Sequence, residues 1–366
     1  MPERLTEAVD FPAFYNAGQI INEYPRGRLY DQELQRALYL KLAPQKAAHT
    51  NLFFVYTPFF ALVFSPLALM PYVAAFVCWI LISLTLFTAG FRLAWETASL
   101  PLRYRETGFV VALAFVPFYF LSLLSGQTSA FGFFWLCLAV FLDYRNRRFL
   151  SGCALAMLLY KPTLLLLLVP MLVVSKRWRT LGGFCFCGVI LGLVSVAIIG
   201  SSGLRLYFDL LSTFSKSKAI GLHPIWYDVD ALSFFLQITH GQVVLAWGLL
   251  TCLTLMVLPF LVKIWIGRPE SAWAHTITWT IILNLYVLIY DSTVIILAVL
   301  LSIEFERSSQ AGLPRAMRWL LLTLFLVPWI ARQAAATYSF QPMTVALIAF
   351  GCYQLWLTLR KKVTTT

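Results

Sequence analysis

Residues 72–93 read YVAAFVCWILISLTLFTAGFRL, an apolar run that carries one charge, near its end. A helix needs about 20 apolar residues to cross a bilayer, so this run is long enough for one span. Similar runs recur along the 366 residues, with short polar segments between them. The chain is 60% hydrophobic and 12% charged, with a mean hydropathy of +0.78, which is far more apolar than a soluble domain. The sequence predicts an all-α polytopic membrane protein.

The apolar runs predict a bundle of about 11 transmembrane helices, some of them short halves of broken pairs. The predicted spans are residues 72–93, 107–123, 127–143, 149–160, 163–175, 180–199, 243–265, 273–290, 292–303, 317–331 and 342–359. If these spans alternate, the basic clusters between them fall on one side of the membrane. The positive-inside rule makes that side cytoplasmic.

The chain divides into five predicted regions. Residues 1–52 form a first outer-face loop with an amphipathic helix at 19–43, and 53–71 form a short interfacial or re-entrant helix. A first transmembrane group at 72–199 and an outer loop at 200–241 follow. A second transmembrane group at 242–366 ends in a cytoplasmic C-terminus. Residues 1–10 are polar and lack the apolar core of a signal peptide.

Charge and cysteine usage exclude several classes of function. The formal net charge is +12, but the basic residues form small clusters between apolar runs, which is typical of membrane loops rather than of nucleic-acid-binding surfaces. The seven cysteines lie inside apolar runs, without the spacing of metal ligands. We therefore expect membrane lipids as partners, no nucleic acid and no metal site.

Two charged residues interrupt apolar runs near their middles. Lys161 lies in the break Tyr160-Lys161-Pro162-Thr163, and Asp291 lies in Tyr290-Asp291-Ser292. Charges at membrane depth are costly and usually mark function, and non-helical backbone there is tolerated where it lines a cavity. Lys161 is a candidate for neutralising a lipid phosphate. The alternative is that the two residues pair with one another or reach to the interface.

Five further polar residues are candidates, each with a simpler alternative. Asp10 lies among aromatic residues, but it could be a solvated acid or a helix cap. Gln127 lies where an outer turn enters a span. It could cap the helix or donate a hydrogen bond to a ligand. His223, Asp228 and Asp230 lie in the predicted outer loop. They are candidates for contact with a polar substrate, and the alternative is an ordinary solvated loop.

Seven short motifs in this order resemble glycosyltransferase family 87, within the GT-C class of membrane glycosyltransferases. They are Asp10-Phe11-x-x-Phe14-Tyr15-x-Ala17-Gly18, Leu29-Tyr30-Asp31, Tyr56-Thr57-Pro58-Phe59-Phe60, Ser65-Pro66-Leu67-Ala68-Leu69-Met70-Pro71, Gly126-Gln127-Thr128-Ser129-Ala130, Lys161-Pro162-Thr163 and Tyr290-Asp291. The sequence departs from the family pattern at Thr57, which replaces the first proline of the usual Tyr-Pro-Pro. The span that usually precedes the aspartate motif is not seen ahead of Asp10.

The resemblance implies a GT-C-like bundle that uses a polyprenyl-phosphate-linked sugar, often mannose, as its donor. The acceptor would be a lipid-linked or other glycan on the outer face of the membrane. The catalytic base of the family maps onto Asp10. No cofactor is expected besides the donor substrate.

The donor phosphate needs fixed positive groups, because negative charge develops on it as it departs. Lys161 is the first candidate for this role, followed by Arg205 and then by Arg26 and Arg28. Candidates for further substrate contacts are Tyr15, Tyr30, Gln127, His223 and Asp291.

Three functions remain open on sequence grounds. The first is the glycosyltransferase, which we expect in a bacterial inner membrane with its active site on the outer face. The second is a transporter or flippase of a lipid-linked or anionic substrate, because broken spans carry Lys161 and Asp291. The third is a degenerate family member that only binds lipid or a partner.

Overall fold

The computed structural model describes residues 10–25, 27–42, 53–219, 227–267, 269–307 and 313–363. This part of the chain is helical and forms no β-strand. Its α-helices are α1 (Phe11–Glu23), α2 (Gln32–Leu42), α3 (Pro58–Ala61), α4 (Tyr72–Thr97), α5 (Arg105–Leu113), α6 (Val116–Phe118), α7 (Ser129–Tyr144), α8 (Arg148–Ala156), α9 (Leu168–Val174), α10 (Trp178–Ala219), α11 (Ala231–Ile238), α12 (Val243–Gly267), α13 (Pro269–Ile282), α14 (Ile295–Arg307), α15 (Arg315–Leu326), α16 (Pro328–Tyr338) and α17 (Pro342–Val363).

Four helices in the described ranges are long and apolar enough to cross a membrane, namely Tyr72–Thr97, Trp178–Thr213, Val243–Gly267 and Pro342–Arg360. Two bent pairs raise the number to six if each pair counts as one span. The first pair, Leu102–Leu113 with Val116–Leu123, bends by 54°, and the second, Arg315–Leu326 with Pro328–Tyr338, bends by 65°. The structure therefore confirms an all-α membrane protein but not about 11 spans.

The difference arises from apolar runs that fold as short helices. Ser129–Tyr144, Arg148–Tyr160 and Pro162–Val174 each have fewer than 18 residues, and α13 and α14 are 14 and 13 residues long. A helix of that length falls short of the bilayer core by itself. Their interior positions are instead covered by neighbouring helices, as at Leu136, Leu155 and Leu297. Apolar composition alone does not separate such packed helices from spans.

Helix α10 extends beyond the predicted end of its span. The chain remains helical through Ala219, with one break at Gly200, whose φ of 63° and ψ of −173° are non-helical. The first part of the predicted outer loop at 200–241 is thus helical, and its last part contains α11. Gly200 supplies the positive φ at no steric cost.

The amphipathic segment predicted at 19–43 forms parts of two helices. Gly27, with a φ of 96°, begins a single 3₁₀ turn between α1 and α2. A Cβ atom at Gly27 would lie 3.2 Å from the carbonyl oxygen of Ile199. The turn therefore packs against the middle of α10, and this contact needs glycine both for its φ and for its size.

Helix α1 lies tightly against the segment that precedes α4. A Cβ atom at Gly18 would lie 2.3 Å from the Phe64 carbonyl oxygen, which is inside van der Waals contact. Asn22 extends this contact, since its side-chain NH₂ donates to the Ser65 carbonyl over 2.8 Å. The aromatic rings of Phe14 and Phe64 stack with their centroids 4.9 Å apart. Helix α1 is thereby fixed to the bundle.

We expect Gly18→Ala to destabilise the protein by about 1–3 kcal/mol, because an overpacked site must shift to admit the new methyl group. The readout is the thermal unfolding midpoint of the purified protein in detergent. Gly248→Ala is the matched control, because nothing lies within 4 Å of a Cβ atom there. That control should be neutral or slightly stabilising, since alanine is the better helix former. Equal midpoints for the two variants would contradict the tight packing of α1.

Candidate active site

Asp10 is the N-cap residue of α1, yet its side chain makes no capping hydrogen bond. Its backbone N–H donates to the Ser125 carbonyl over 2.9 Å, which fixes the start of α1 against the Gly126-Gln127 turn. Pro12 occupies the first turn of the helix, where a missing N–H costs nothing. The backbone therefore fixes the position of Asp10, and its carboxylate oxygens do not cap α1.

Gln127 is the hydrogen-bond partner of that carboxylate. Its side-chain NH₂ donates to Asp10 Oδ2 over 2.7 Å, and the Gln127 side chain is buried. The turn that carries it is fixed by Trp79, whose indole N–H donates to the Gly126 carbonyl over 3.0 Å. Gly126 has a φ of 71°, and a Cβ atom there would lie 2.7 Å from Phe11 Cβ. Glycine is thus required where the turn meets α1.

Burial raises the pKa of the Asp10 carboxyl above its ordinary value, while the hydrogen bond from Gln127 and the charge of Lys161 act in the opposite direction. The side chain keeps part of its surface accessible. A carboxylate with a raised pKa is a stronger base than one in water, provided that it is deprotonated at the working pH. Asp10 therefore has the properties of a general base.

Lys161 and Asp291 form a buried ion pair, with 2.6 Å between Lys161 Nζ and Asp291 Oδ2. Lys161 lies between two 3₁₀ turns, Met157–Tyr160 and Pro162–Leu165, so the predicted break in this run is confirmed. Asp291 lies in the 3₁₀ helix Ile289–Val294, and its Oδ2 also accepts the Leu288 N–H. Pairing, the simpler alternative for these two residues, is what the structure shows.

Three tyrosine rings surround the Lys161 ammonium. Its nitrogen lies 5.0 Å from the ring centroid of Tyr290, 5.9 Å from that of Tyr56 and 6.0 Å from that of Tyr286. Ring faces carry negative charge density and attract a cation at these distances. Within the described residues the Lys161 ammonium donates one hydrogen bond, the one to Asp291. Two of its three N–H donors therefore remain for a further ligand.

Tyr56 connects the ion pair with Asp10. Its hydroxyl lies 3.4 Å from Gln127 Oε1, and its ring stacks on that of Tyr160 at an interplanar angle of 2°. The side-chain amide of Gln127 thus bridges the two residues, with its oxygen towards Tyr56 and its nitrogen towards Asp10. The acid, the amide, the phenol and the ion pair form one continuous cluster from residues far apart in sequence.

The predicted outer-loop acids also lie beside this cluster. Asp228 is buried, accepts a hydrogen bond from Ser233 Oγ over 3.0 Å, and its charge acts on Lys161. Asp230 is a helix cap: its Oδ1 accepts the Ser233 N–H over 2.9 Å at the start of α11. Its Oδ2 accepts the Val287 N–H, which fastens this segment to the one that carries Asp291.

Two of the predicted substrate contacts have structural partners instead. The Tyr15 hydroxyl donates to the Met70 carbonyl over 2.8 Å, and the buried Tyr30 donates to the Tyr56 carbonyl over 2.6 Å. Tyr30 thereby supports Tyr56 from behind. Both remain predictions as substrate ligands.

The further arginine candidates do not join the cluster. Arg205 is exposed on α10, and its side chain forms no hydrogen bond or ion pair with any described residue. Arg28 forms an ion pair of 2.6 Å with Asp31. His223 and Arg26 lie outside the described residues.

Sequence reasoning missed the position of Tyr56 and the presence of Tyr286 at the site. Tyr56 lies in a motif quoted above, but nothing in the motif indicates that its hydroxyl reaches Gln127. Tyr286 precedes the break at Asp291 by five residues, and a polar break near a tyrosine is the signal that could have found it. In the described ranges no group of three or more His, Cys, Asp or Glu side chains could hold a metal ion.

The sequence model of glycosyltransferase family 87 matches residues 54–290, well over half of the chain. The match contains Tyr56, Gln127, Lys161 and Tyr290, and it begins after α1 and α2. No curated protein and no solved structure matches the chain. The apolar helices agree with a family of membrane enzymes, and the family match favours a glycosyltransferase over the transporter or flippase alternative. The chain belongs to glycosyltransferase family 87 and is a membrane glycosyltransferase.

Proposed function

We propose that this enzyme transfers a hexose, with mannose as the first candidate, from a polyprenyl-phosphate donor to a lipid-linked or other glycan acceptor. Asp10 is the general base of the proposed reaction. The observation that carries the proposal is the Asp10 carboxylate itself, which does not cap its helix, accepts a hydrogen bond from Gln127 and lies within the field of Lys161.

The proposed reaction is a single displacement at the anomeric carbon. Asp10 removes the proton of the acceptor hydroxyl as its oxygen forms a bond to that carbon. The bond from the anomeric carbon to the phosphate oxygen breaks, and polyprenyl phosphate departs with the electron pair. A phosphate is a good leaving group, so one carboxylate suffices where glycoside hydrolysis needs an acid as well. Attack from the opposite face inverts the anomeric configuration.

Lys161 is the proposed contact for the departing phosphate. Its two unused N–H groups can donate to the phosphate oxygens while the third donates to Asp291. Preorganised donors stabilise developing negative charge because they need no rearrangement during the reaction. Arg205 and His223 are secondary candidates for substrate contact.

The direct test uses membranes that contain the enzyme together with tritiated polyprenyl-phosphate mannose, followed by analysis of elongated products. Label in a new glycosidic bond supports the proposal. Recovery of all label as unchanged donor, with other polyprenyl-phosphate hexoses giving the same result, would contradict it and favour the degenerate lipid-binding alternative. Activity that persists in excess chelator would support the proposed absence of a metal cofactor.

The proposal places the enzyme in a bacterial inner membrane, with Asp10 on the outer face. The clusters of basic residues on the opposite side of the predicted spans support this orientation. Cysteine labelling of intact cells at an exposed position of α2, such as Glu33, tests it. Labelling by a membrane-impermeant reagent is expected, and labelling only after lysis would reverse the orientation.

We expect Gln127→Leu to shift the acidic limb of the pH–rate profile to higher pH by about 1 unit or more. The hydrogen bond from Gln127 stabilises the charged form of Asp10, so its loss raises the pKa of Asp10 further. A base works deprotonated, so the rate falls as the pH drops through that pKa. Gln19→Leu is the matched control, because Gln19 bonds only Glu23 on α1. A Gln127→Leu profile that superimposes on the control would remove Gln127 from this role.

A further inference from the structure

A separate cavity of about 640 Å³ lies between α4, α5, α14 and α15. Its wall is mainly apolar, with Phe91, Trp95, Phe115, Ile296, Leu300 and Leu324 among the lining residues. Small-molecule pockets in proteins have volumes of about 300–1,000 Å³, so this cavity is large enough for a specific ligand. The apolar lining favours a ligand that is mostly hydrocarbon.

Three exposed arginines line the same cavity, namely Arg103, Arg307 and Arg318, and none of its lining residues is acidic. The Arg103 guanidinium lies over the Tyr104 ring, 4.6 Å from its centroid. The Arg318 Nε–H donates to the Leu313 carbonyl over 2.9 Å, which orients its guanidinium. The terminal amino groups of Arg318 bond no other described residue. All charged side chains that line the cavity are thus cationic.

The cavity lies far from Asp10. Helix α4 contacts the Gly126 turn through Trp79 and the cavity through Trp95, 16 residues later in the same helix. At 1.5 Å per residue these positions are about 24 Å apart along the axis. In the proposed orientation, its arginines belong to the basic clusters on the cytoplasmic side.

We propose that this cavity binds one anionic phospholipid from the cytoplasmic leaflet, with an acyl chain among the apolar residues and its phosphate at the arginines. Basic pockets between transmembrane helices suit anionic head groups. A soluble phosphate would leave the apolar wall without a partner. A zwitterionic phospholipid would bring a fourth cation to a site that already holds three.

The test compares phosphatidylglycerol with phosphatidylcholine of the same chains, added to the delipidated full-length protein in detergent. Native mass spectrometry is expected to show one retained phosphatidylglycerol, and the unfolding midpoint is expected to rise with that lipid alone. Equal effects of the two lipids, or an equal effect of inorganic phosphate, would overturn the proposal. No step of this test uses sugar transfer, so its outcome is independent of the proposed function.

Variants locate the site. We expect the pair Arg103→Ala and Arg318→Ala to weaken phosphatidylglycerol binding by about 10-fold or more. The matched control is Arg105→Ala with Arg315→Ala, because these neighbouring arginines are exposed but do not line the cavity. Equal losses in both pairs would mean unspecific attraction to the basic surface and would overturn the proposal.

A second variant tests the apolar part without changing charge. Val299→Trp is expected to obstruct the apolar part of the cavity and abolish retention of phosphatidylglycerol. Its unfolding midpoint without lipid shows whether the variant is folded. A folded Val299→Trp protein that still retains the lipid would overturn the proposed position of the acyl chain.

Discussion

Asp10→Asn is expected to lower the rate of sugar transfer by about 10²–10⁴-fold, the range that general base catalysis contributes. Asparagine has nearly the same shape, and its side-chain oxygen can still accept the hydrogen bond from Gln127. It cannot take a proton from the acceptor hydroxyl at neutral pH. The measurement is the initial rate of label transfer from the polyprenyl-phosphate sugar, with the amount of folded enzyme matched between samples.

The variant should remain folded. Burial raises the pKa of Asp10, so the charged form is disfavoured in the folded protein, and a neutral amide removes that cost. An unfolding midpoint equal to or above that of the unmodified enzyme is therefore expected. Glu33→Gln is the matched control, since Glu33 is an exposed acid in the neighbouring helix α2. Full activity of Asp10→Asn would exclude Asp10 as the base, whereas equal losses in both variants would point to the surface charge of this segment.

The acid limb of the activity profile provides a second check on Asp10. Because the pKa of Asp10 is raised, the rate should begin to fall at a higher pH than an ordinary aspartate would give. The residual rate of Asp10→Asn should lose this dependence. A profile that is unchanged in the variant would assign the titration to another group.

The sequence contained the elements of the site but not their contacts. The breaks at Lys161 and Asp291 were predictable, because a charge and a proline interrupt an apolar run. The contact between them joins residues 130 positions apart, and that between Gln127 and Asp10 joins residues 117 apart. Such pairs depend on how helices pack, and no local periodicity encodes them.

The number of spans is the part of the fold prediction that the structure does not confirm. In an apolar run such as 129–144, neighbouring helices bury many of the side chains, and burial by protein or by lipid has the same sequence signature. The α1 segment shows that a motif can be recognised in the sequence while the contact that requires it is not. Its Gly18 was visible in a motif, but the close approach of the Phe64 carbonyl that explains it was not.

The Lys161–Asp291 pair leads to the second large effect. Removing one partner of a buried ion pair leaves an uncompensated charge and typically costs about 3–5 kcal/mol. We therefore expect Lys161→Met and Asp291→Leu each to lower the unfolding midpoint strongly. The double variant should recover most of this stability, because two apolar side chains of similar volume replace a buried pair at little or no cost. Thermal unfolding in detergent measures all three.

Activity of the folded double variant then separates the two roles of Lys161. If Lys161 only balances the charge of Asp291, the double variant should transfer sugar at nearly the normal rate. We expect instead that it remains about 10²–10³-fold slower, because the departing phosphate has lost the donors that stabilise its charge. A matched pair at the far end of the bundle is Arg177 with Asp143, which also form an ion pair. Arg177→Met with Asp143→Leu should leave the rate of the folded enzyme unchanged. A loss of activity in the Lys161 and Asp291 double variant alone would then reflect the lost phosphate contact. Equal losses in both double variants would instead reflect the loss of an internal ion pair.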